Sequence, residues 1–186
     1  LKSLIVSDFI IKYVPFGYSK REEHYKLVDP FCIFYLDFIE KNGMIPETFW
    51  LSNVTSPTII TWRGHAFENV CFNHIEQIKK ALGISGISTT QSAWTKMGEE
   101  YKGTQIDMII SRKDNIVNMC EMKYYGEEFM VDKDYDSILR HRKNLLYEMI
   151  PKKNAVHNTL ITTFGIRNNE NRWSFDNVIT MDDLFI

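Results

Sequence analysis

Three side chains in the middle of the chain are placed where they could do metal-assisted hydrolysis. Asp107 sits in the apolar run Gln105-Ile-Asp-Met-Ile-Ile110. Glu121 and Lys123 sit in a second run, Val117-Asn-Met-Cys-Glu-Met-Lys123. A plain core strand carries no charge, whereas these two carry an acid each and a lysine. Glu121 and Lys123 are two apart, so on a strand both side chains leave the same face. Hard divalent cations such as Mg²⁺ or Mn²⁺ are held by one or two carboxylates together with water and substrate phosphate. A cation so held lowers the pKa of a bound water and neutralises charge on a phosphate. In that chemistry Asp107 and Glu121 are ligands and Lys123 is the base beside the attacking water.

The elements around them decide whether they meet. A three-residue loop, Lys113-Asp-Asn115, pairs Arg112 with Ile116 and sets Asp107 opposite Glu121, with Asn115 suited to the left-handed position. A two-residue loop would put the carboxylates on opposite faces. Before them, a helix is predicted over 62–82. Its stripe of Phe67, Val70, Cys71, His74, Ile75, Ile78 and Leu82 is closed by Gly83. Glu68 lies about 70° from the centre of that stripe, at the edge of the buried face. It is an outer-sphere or second-metal ligand in this reading. Glu76 falls on the solvated side, and His74 is expected to be a satisfied core histidine.

The remaining pattern predicts strands over 87–94, 104–111, 116–124, 158–164 and 178–180. An exposed turn is expected over 97–103, a helix over 132–149 and a short helical turn over 181–185. The 132–149 helix places Tyr135, Ile138, Leu139, Arg142, Leu145, Leu146 and Met149 on one side. Upstream, strands over 8–16 and 23–28 form a hairpin that needs support from elsewhere, since isolated hairpins are marginal. Asp29-Pro30 opens an aromatic helix over 31–40 that stops at Asn42-Gly43. The fold class is α/β, a mixed sheet flanked by helices.

Composition narrows the function classes. The 186 residues are 44% hydrophobic and 25% charged, the balance of a globular protein. No run approaches the roughly 20 apolar residues of a membrane span. Cys32, Cys71 and Cys120 are odd in number and widely spaced, which argues against a disulfide framework or zinc site and points to the cytoplasm. A net charge of −2 gives no global attraction to nucleic acid, so contact would depend on local bases. Arg63, His65, Lys79 and Lys80 on the first helix, and Lys133, Arg140, His141, Arg142 and Lys143 on the last, could touch phosphates. Interleaved acids make a solvated face the plainer expectation. Trp50, Trp62, Trp94 and Trp173 are expected as core or junction anchors, and Tyr124-Tyr125 as the cap of the sheet. The opening at Leu1 is unlike a domain start, and the expectation is a piece of a longer protein.

With these residues in place, 62–186 resembles the PD-(D/E)XK nuclease superfamily, of restriction-endonuclease-like fold, whose core runs α-β-β-β-α-β. The motif matches at Glu68, Asp107, Glu121 and Lys123; Ile106 stands where some members carry Pro. The whole chain is also similar to the C-terminal part of bacterial and archaeal AAA-type (STAND-like) ATPases. Tyr25-Lys-Leu-Val-Asp-Pro-Phe31 with Phe34-Tyr-Leu-Asp-Phe-Ile39 matches their junction, and Trp62-Arg-Gly-His-Ala-Phe-Glu68 the opening of their last domain. The resemblance implies a winged-helix wing remnant at 1–30, a linker at 31–61 and a nuclease-like domain at 62–186. It also implies Mg²⁺ or Mn²⁺ as cofactor, DNA as substrate and an upstream ATPase module as partner. A catalytically inactive, regulatory nuclease-like fold is the alternative it allows, and an oligomer is compatible with either. No Gly-x-x-x-x-Gly-Lys-[Ser/Thr] occurs, so no ATP site is expected within these residues.

Overall fold

The computed structural model describes residues 1–19, 21–95 and 105–186. The turn expected over 97–103 lies outside them. The chain begins with α1 (Lys2–Val6) and a hairpin of β1 (Ile10–Tyr13) and β2 (His24–Leu27). Asp29 then caps α2 (Pro30–Phe34), its carboxylate accepting from Cys32 N–H at 2.7 Å with Pro30 at the first helical position. A π-helical segment (Tyr35–Ile39) and α3 (Glu40–Asn42) carry this helix to Gly43, whose φ of 68° ends it. The short α4 (Phe49–Asn53) follows.

The predicted helix over 62–82 is two helices. The first, α5 (Pro57–Asn73), starts five residues early because Ser56 accepts from Ile59 N–H and Pro57 occupies the first turn. It stops at His74, whose backbone N–H donates to Val70 O at 3.1 Å while ring Nδ1 lies 2.7 Å from the same oxygen. The second, α6 (Ile75–Ala81), closes on Gly83 (φ 69°), with Ile84 N–H bonded to Lys79 O and Gly83 N–H to Lys80 O.

A five-stranded mixed sheet forms the body, in the order β3 (Thr89–Thr95), β4 (Gln105–Arg112), β5 (Ile116–Lys123), β6 (Ala155–Thr162), β7 (Asn177–Thr180). The first three strands are antiparallel; β5–β6 and β6–β7 are parallel. Between β5 and β6 the chain crosses over through α7 (Lys133–Met149), capped by Asp132 on Tyr135 N–H. The three-residue loop holds: Asn115 has φ 65°, and Ser111 pairs with Val117 and Ile110 with Asn118. β5 is central and buried from Val117 to Met122, so its two faces read separately. Val117 and Met119 pack with Leu139, Leu145 and Leu146 of α7, while Cys120 and Met122 pack with Phe67, Cys71 and Ile78 of α5 and α6. A 3₁₀ turn (Asp182–Phe185) ends the chain.

Several expectations need correction. Ile138 and Met149 are exposed, since α7 buries a narrower stripe than its periodicity suggested. Trp50 and Trp62 do meet edge to face at 5.6 Å, beside Phe34 and Phe38, and Trp94 is in the core. Trp173 is 80% exposed, with the Arg172 guanidinium stacked on it. The hairpin finds its support inside the chain: Phe16 N–H donates to Ala93 O of β3 at 3.0 Å, and Phe16 packs against the α7-side core. Among the described residues no helix is long and apolar enough to cross a membrane.

Candidate active site

Lys123 Nζ lies 3.5 Å from Glu121 Oε2 and 3.9 Å from Asp107 Oδ2, so one ammonium bridges the two predicted carboxylates. The three come together at one end of β4 and β5. β5 supplies Glu121 and Lys123 from one face, as their spacing requires. Asp107 arrives differently. Ser92 pairs with Ile109 but Trp94 pairs with Ile106, so the single residue Ala93 of β3 faces both Asp107 and Met108. This bulge interrupts the pleat, and Ile106 and Ile109 both join the α7-side core. Asp107 Oδ2 takes the backbone N–H of Met122 at 2.9 Å.

The two acids differ in environment. The Glu121 side chain is fully buried. Arg142 Nη1 donates to Oε1 at 2.5 Å, and Tyr135 O–H donates to Oε2 at 2.7 Å. Burial is the largest influence on Arg142 and works against its charge, but Glu121, with Tyr135 and Asp107 behind it, raises the guanidinium's pKa on balance. The Tyr135 hydroxyl is also pushed up, by burial and then by Glu121. Its ring lies 5.6 Å from Lys123 Nζ. Arg142 is thus neither a phosphate contact nor part of the solvated face expected for it: it is the largely buried partner of Glu121. The signal for this was available: an arginine on an apolar helical stripe, seven residues from a tyrosine on the same face, needs a buried acid to meet.

Asp107 keeps some access to solvent and lines a cavity shared with Glu68. Burial first, and the Glu121 carboxylate second, push its pKa up to about 6, against the pull of Lys123 and the Met122 N–H. Glu68 adds to that crowding of negative charge. Glu68 itself is flanked by Lys26 Nζ and His65 Nδ1, each at 3.6 Å. The structure therefore brings Asp107, Glu121 and Lys123 into one cluster and sets Glu68 on the cavity side of it. Glu76 is solvated, as expected, and is paired with Lys79.

A hard cation fits these residues in donor chemistry and charge. Asp107 is a partly accessible carboxylate whose proton affinity is raised by burial first and by neighbouring acids second, and a divalent ion relieves the second of these. Among the described residues no three His, Cys, Asp or Glu side chains converge on one point, so an ion here would draw on one or two carboxylates plus water. Four of the other candidate phosphate contacts are engaged with acids: Arg140 with Asp136 at 2.7 Å, Lys133 with Glu170 at 3.6 Å, Lys143 with Asp176 at 3.9 Å and Lys79 with Glu76 at 3.0 Å. All three cysteines are free thiols, and burial raises the pKa of Cys71 and Cys120. Comparison with protein-family models, with curated proteins and with solved structures returned no match, so geometry and chemistry alone carry the functional reading.

Proposed function

We propose that residues 62–186 adopt a restriction-endonuclease-like fold whose Asp107, Glu121 and Lys123 form a metal-dependent centre for DNA phosphodiester hydrolysis. The observation that carries this reading is the Lys123 ammonium within 4.0 Å of both carboxylates. The order of helix, three antiparallel strands, helix and parallel strand supports it. Asp107 and Glu121 would hold Mg²⁺ or Mn²⁺, with Glu68 in the outer sphere or at a second ion. When bound, that ion supplies charge neutralisation at the phosphate and a more acidic water. Lys123 places a proton-handling nitrogen beside the attacking water. Attack forms the water oxygen–phosphorus bond and breaks the bond to the 3′ oxygen; the water gives up a proton, the departing 3′ oxygen takes one up, and the products are a 5′-phosphate and a 3′-hydroxyl. Arg142 and Tyr135 hold Glu121 in one orientation throughout, and the bulge fixes Asp107 on Met122 N–H. The remainder of the proposal, that the hairpin is a winged-helix wing and an AAA-type ATPase module the partner, rests on the junction motif around Asp29-Pro30.

A second reading, a regulatory nuclease-like domain without catalysis, is favoured by one observation: both oxygens of buried Glu121 already accept from Arg142 and Tyr135. Supercoiled plasmid with Mg²⁺ or Mn²⁺ separates the two. Nicking that disappears in both Asp107→Ala and Lys123→Ala supports the enzyme. Indifference of the plasmid to wild type and variants alike supports the regulatory domain.

A further inference from the structure

One face of the β1–β2 hairpin lines the cavity that also holds Glu68 and Asp107. Ile11 pairs with Lys26, so those side chains leave the same face, and Tyr13, two residues along β1, joins them. Lysine is the odd residue of the three, since a hairpin docked through Ile11 and Tyr13 would pack most simply with another apolar side chain. Lys26 reaches instead to Glu68 and Phe72, which are four apart on α5 and so on one side of it. Its Nζ lies 3.6 Å from Glu68 Oε2 and 4.9 Å from the Phe72 ring centroid. His65, the other neighbour of Glu68, belongs to α5 itself, so Lys26 is the cation that a separate element brings.

The hairpin is held at two places. Phe16, beyond the turn end of β1, donates its N–H to Ala93 O at 3.0 Å, and Lys26, opposite Ile11, meets Glu68 toward the open end. The second tie is weak: the Lys26 side chain is 31% exposed, and a partly exposed pair at 3.6 Å contributes little to stability. Its consequence is electrostatic. An ammonium beside Glu68 supplies positive charge where a cation at the proposed centre would supply its own, and like charges repel at this range. We infer that the hairpin is an autoinhibitory strap, in which Lys26 competes with a divalent cation for Glu68. The inference rests on the hydrolytic reading of Asp107, Glu121 and Lys123 and adds its regulation. Linkage makes the effect reciprocal: a cation at the centre loosens the hairpin, and drawing the hairpin away favours loading.

The test is Mn²⁺ binding to the full chain, followed by electron paramagnetic resonance with no substrate present. Lys26→Met keeps an unbranched stem against Phe72 and removes the charge. Its affinity for Mn²⁺ should rise about five- to tenfold, the size expected when one unit charge is lost a few ångströms from the ion. Lys26→Arg keeps the charge, and Lys12→Met makes the same change in net charge on the other face of the hairpin, where Lys12 pairs with Glu23. Both should stay within about twofold of wild type, because distant exposed charges are screened. In the wild type, saturating Mg²⁺ should speed hydrogen exchange of the β1–β2 amides several-fold, a readout by mass spectrometry that needs no variant. Unchanged affinity in Lys26→Met overturns the inference, as does an equal rise in Lys12→Met or unaltered exchange in the hairpin. Those results leave the hydrolytic centre standing where Asp107→Asn abolishes uptake. No uptake by wild type and Lys26→Met alike removes the centre and the strap together.

Discussion

Glu121 and Asp107 are neighbours across a strand pair, yet the protein treats them in opposite ways. Glu121 is sealed: no solvent reaches it, and a guanidinium, a phenol and an ammonium converge on it. Asp107 is left short of compensation, with one backbone donor, a distant shared ammonium and a second acid beside it on a cavity wall. A purely structural pair of carboxylates would be satisfied on both sides. One fixed acid and one under-compensated acid is the arrangement expected where a cation or a reacting group is to be received.

Breaking the sealed side should have the largest effect. Arg142→Met leaves Glu121 buried opposite no guanidinium, a loss of about 3–5 kcal/mol when one partner of a buried pair is removed. Urea unfolding should show the drop, and Glu121→Gln with Arg142→Met should recover most of it. If the double variant is as unstable as Arg142→Met alone, the arginine matters for packing and the contrast between the two acids dissolves.

The open side should respond with the opposite sign. The Asp107 pKa stands at about 6 when folded against an ordinary 3.8. The folded chain therefore holds a proton here that the unfolded chain has released between those values. This group's contribution to stability is fully present below about pH 4 and is lost as pH rises through about 6. Asp107→Asn removes that loss, keeps an acceptor for Met122 N–H and should stabilise the protein at pH 7 by on the order of 1–3 kcal/mol. The gain should fade below pH 5, as seen by melting temperature against pH. Saturating Mn²⁺ sharpens the same point. At a hundred times its Kd it should stabilise the wild type by about 2.7 kcal/mol. Asp107→Asn should show no such gain, and uptake by the wild type should decline below about pH 6. An Asp107→Asn variant less stable than wild type at pH 7 would mean that the carboxylate is compensated after all.

How much of this contrast could be read from sequence follows from how local each feature is. The β4–β5 register was legible because a charged loop of fixed length ends on Asn115, which takes the left-handed conformation that such a loop needs. Glu121 and Lys123 shared a face by spacing alone. The bulge at Asp107 was not legible, since it depends on β3 offering one residue, Ala93, against two. The break at His74 was hidden for a related reason: its apolar neighbours keep one stripe across both helices while its own ring turns to the Val70 carbonyl. Arg142 lies on the buried stripe of α7, and although its charge groups it with the surface cations of that helix, its position already asks for an acid. The support for the hairpin was not legible because its docking contact, Ala93 of β3, is distant in sequence.

The smallest change separates holding Glu121 in place from merely neutralising it. Tyr135→Phe removes one O–H donor from Oε2 and leaves Arg142 on Oε1, Lys123 at 3.5 Å and the aromatic ring beside the ammonium. The cost should be about 1–2 kcal/mol, that of a hydrogen bond to a charged group with a charged neighbour left to take up the slack. Arg142→Lys keeps the charge but not the fork of donors. If orientation matters, it should lower Mn²⁺ affinity more than Tyr135→Phe does. If charge alone matters, Arg142→Lys should bind Mn²⁺ like wild type, and the sealed acid is then a counter-charge for the open one and no ligand itself.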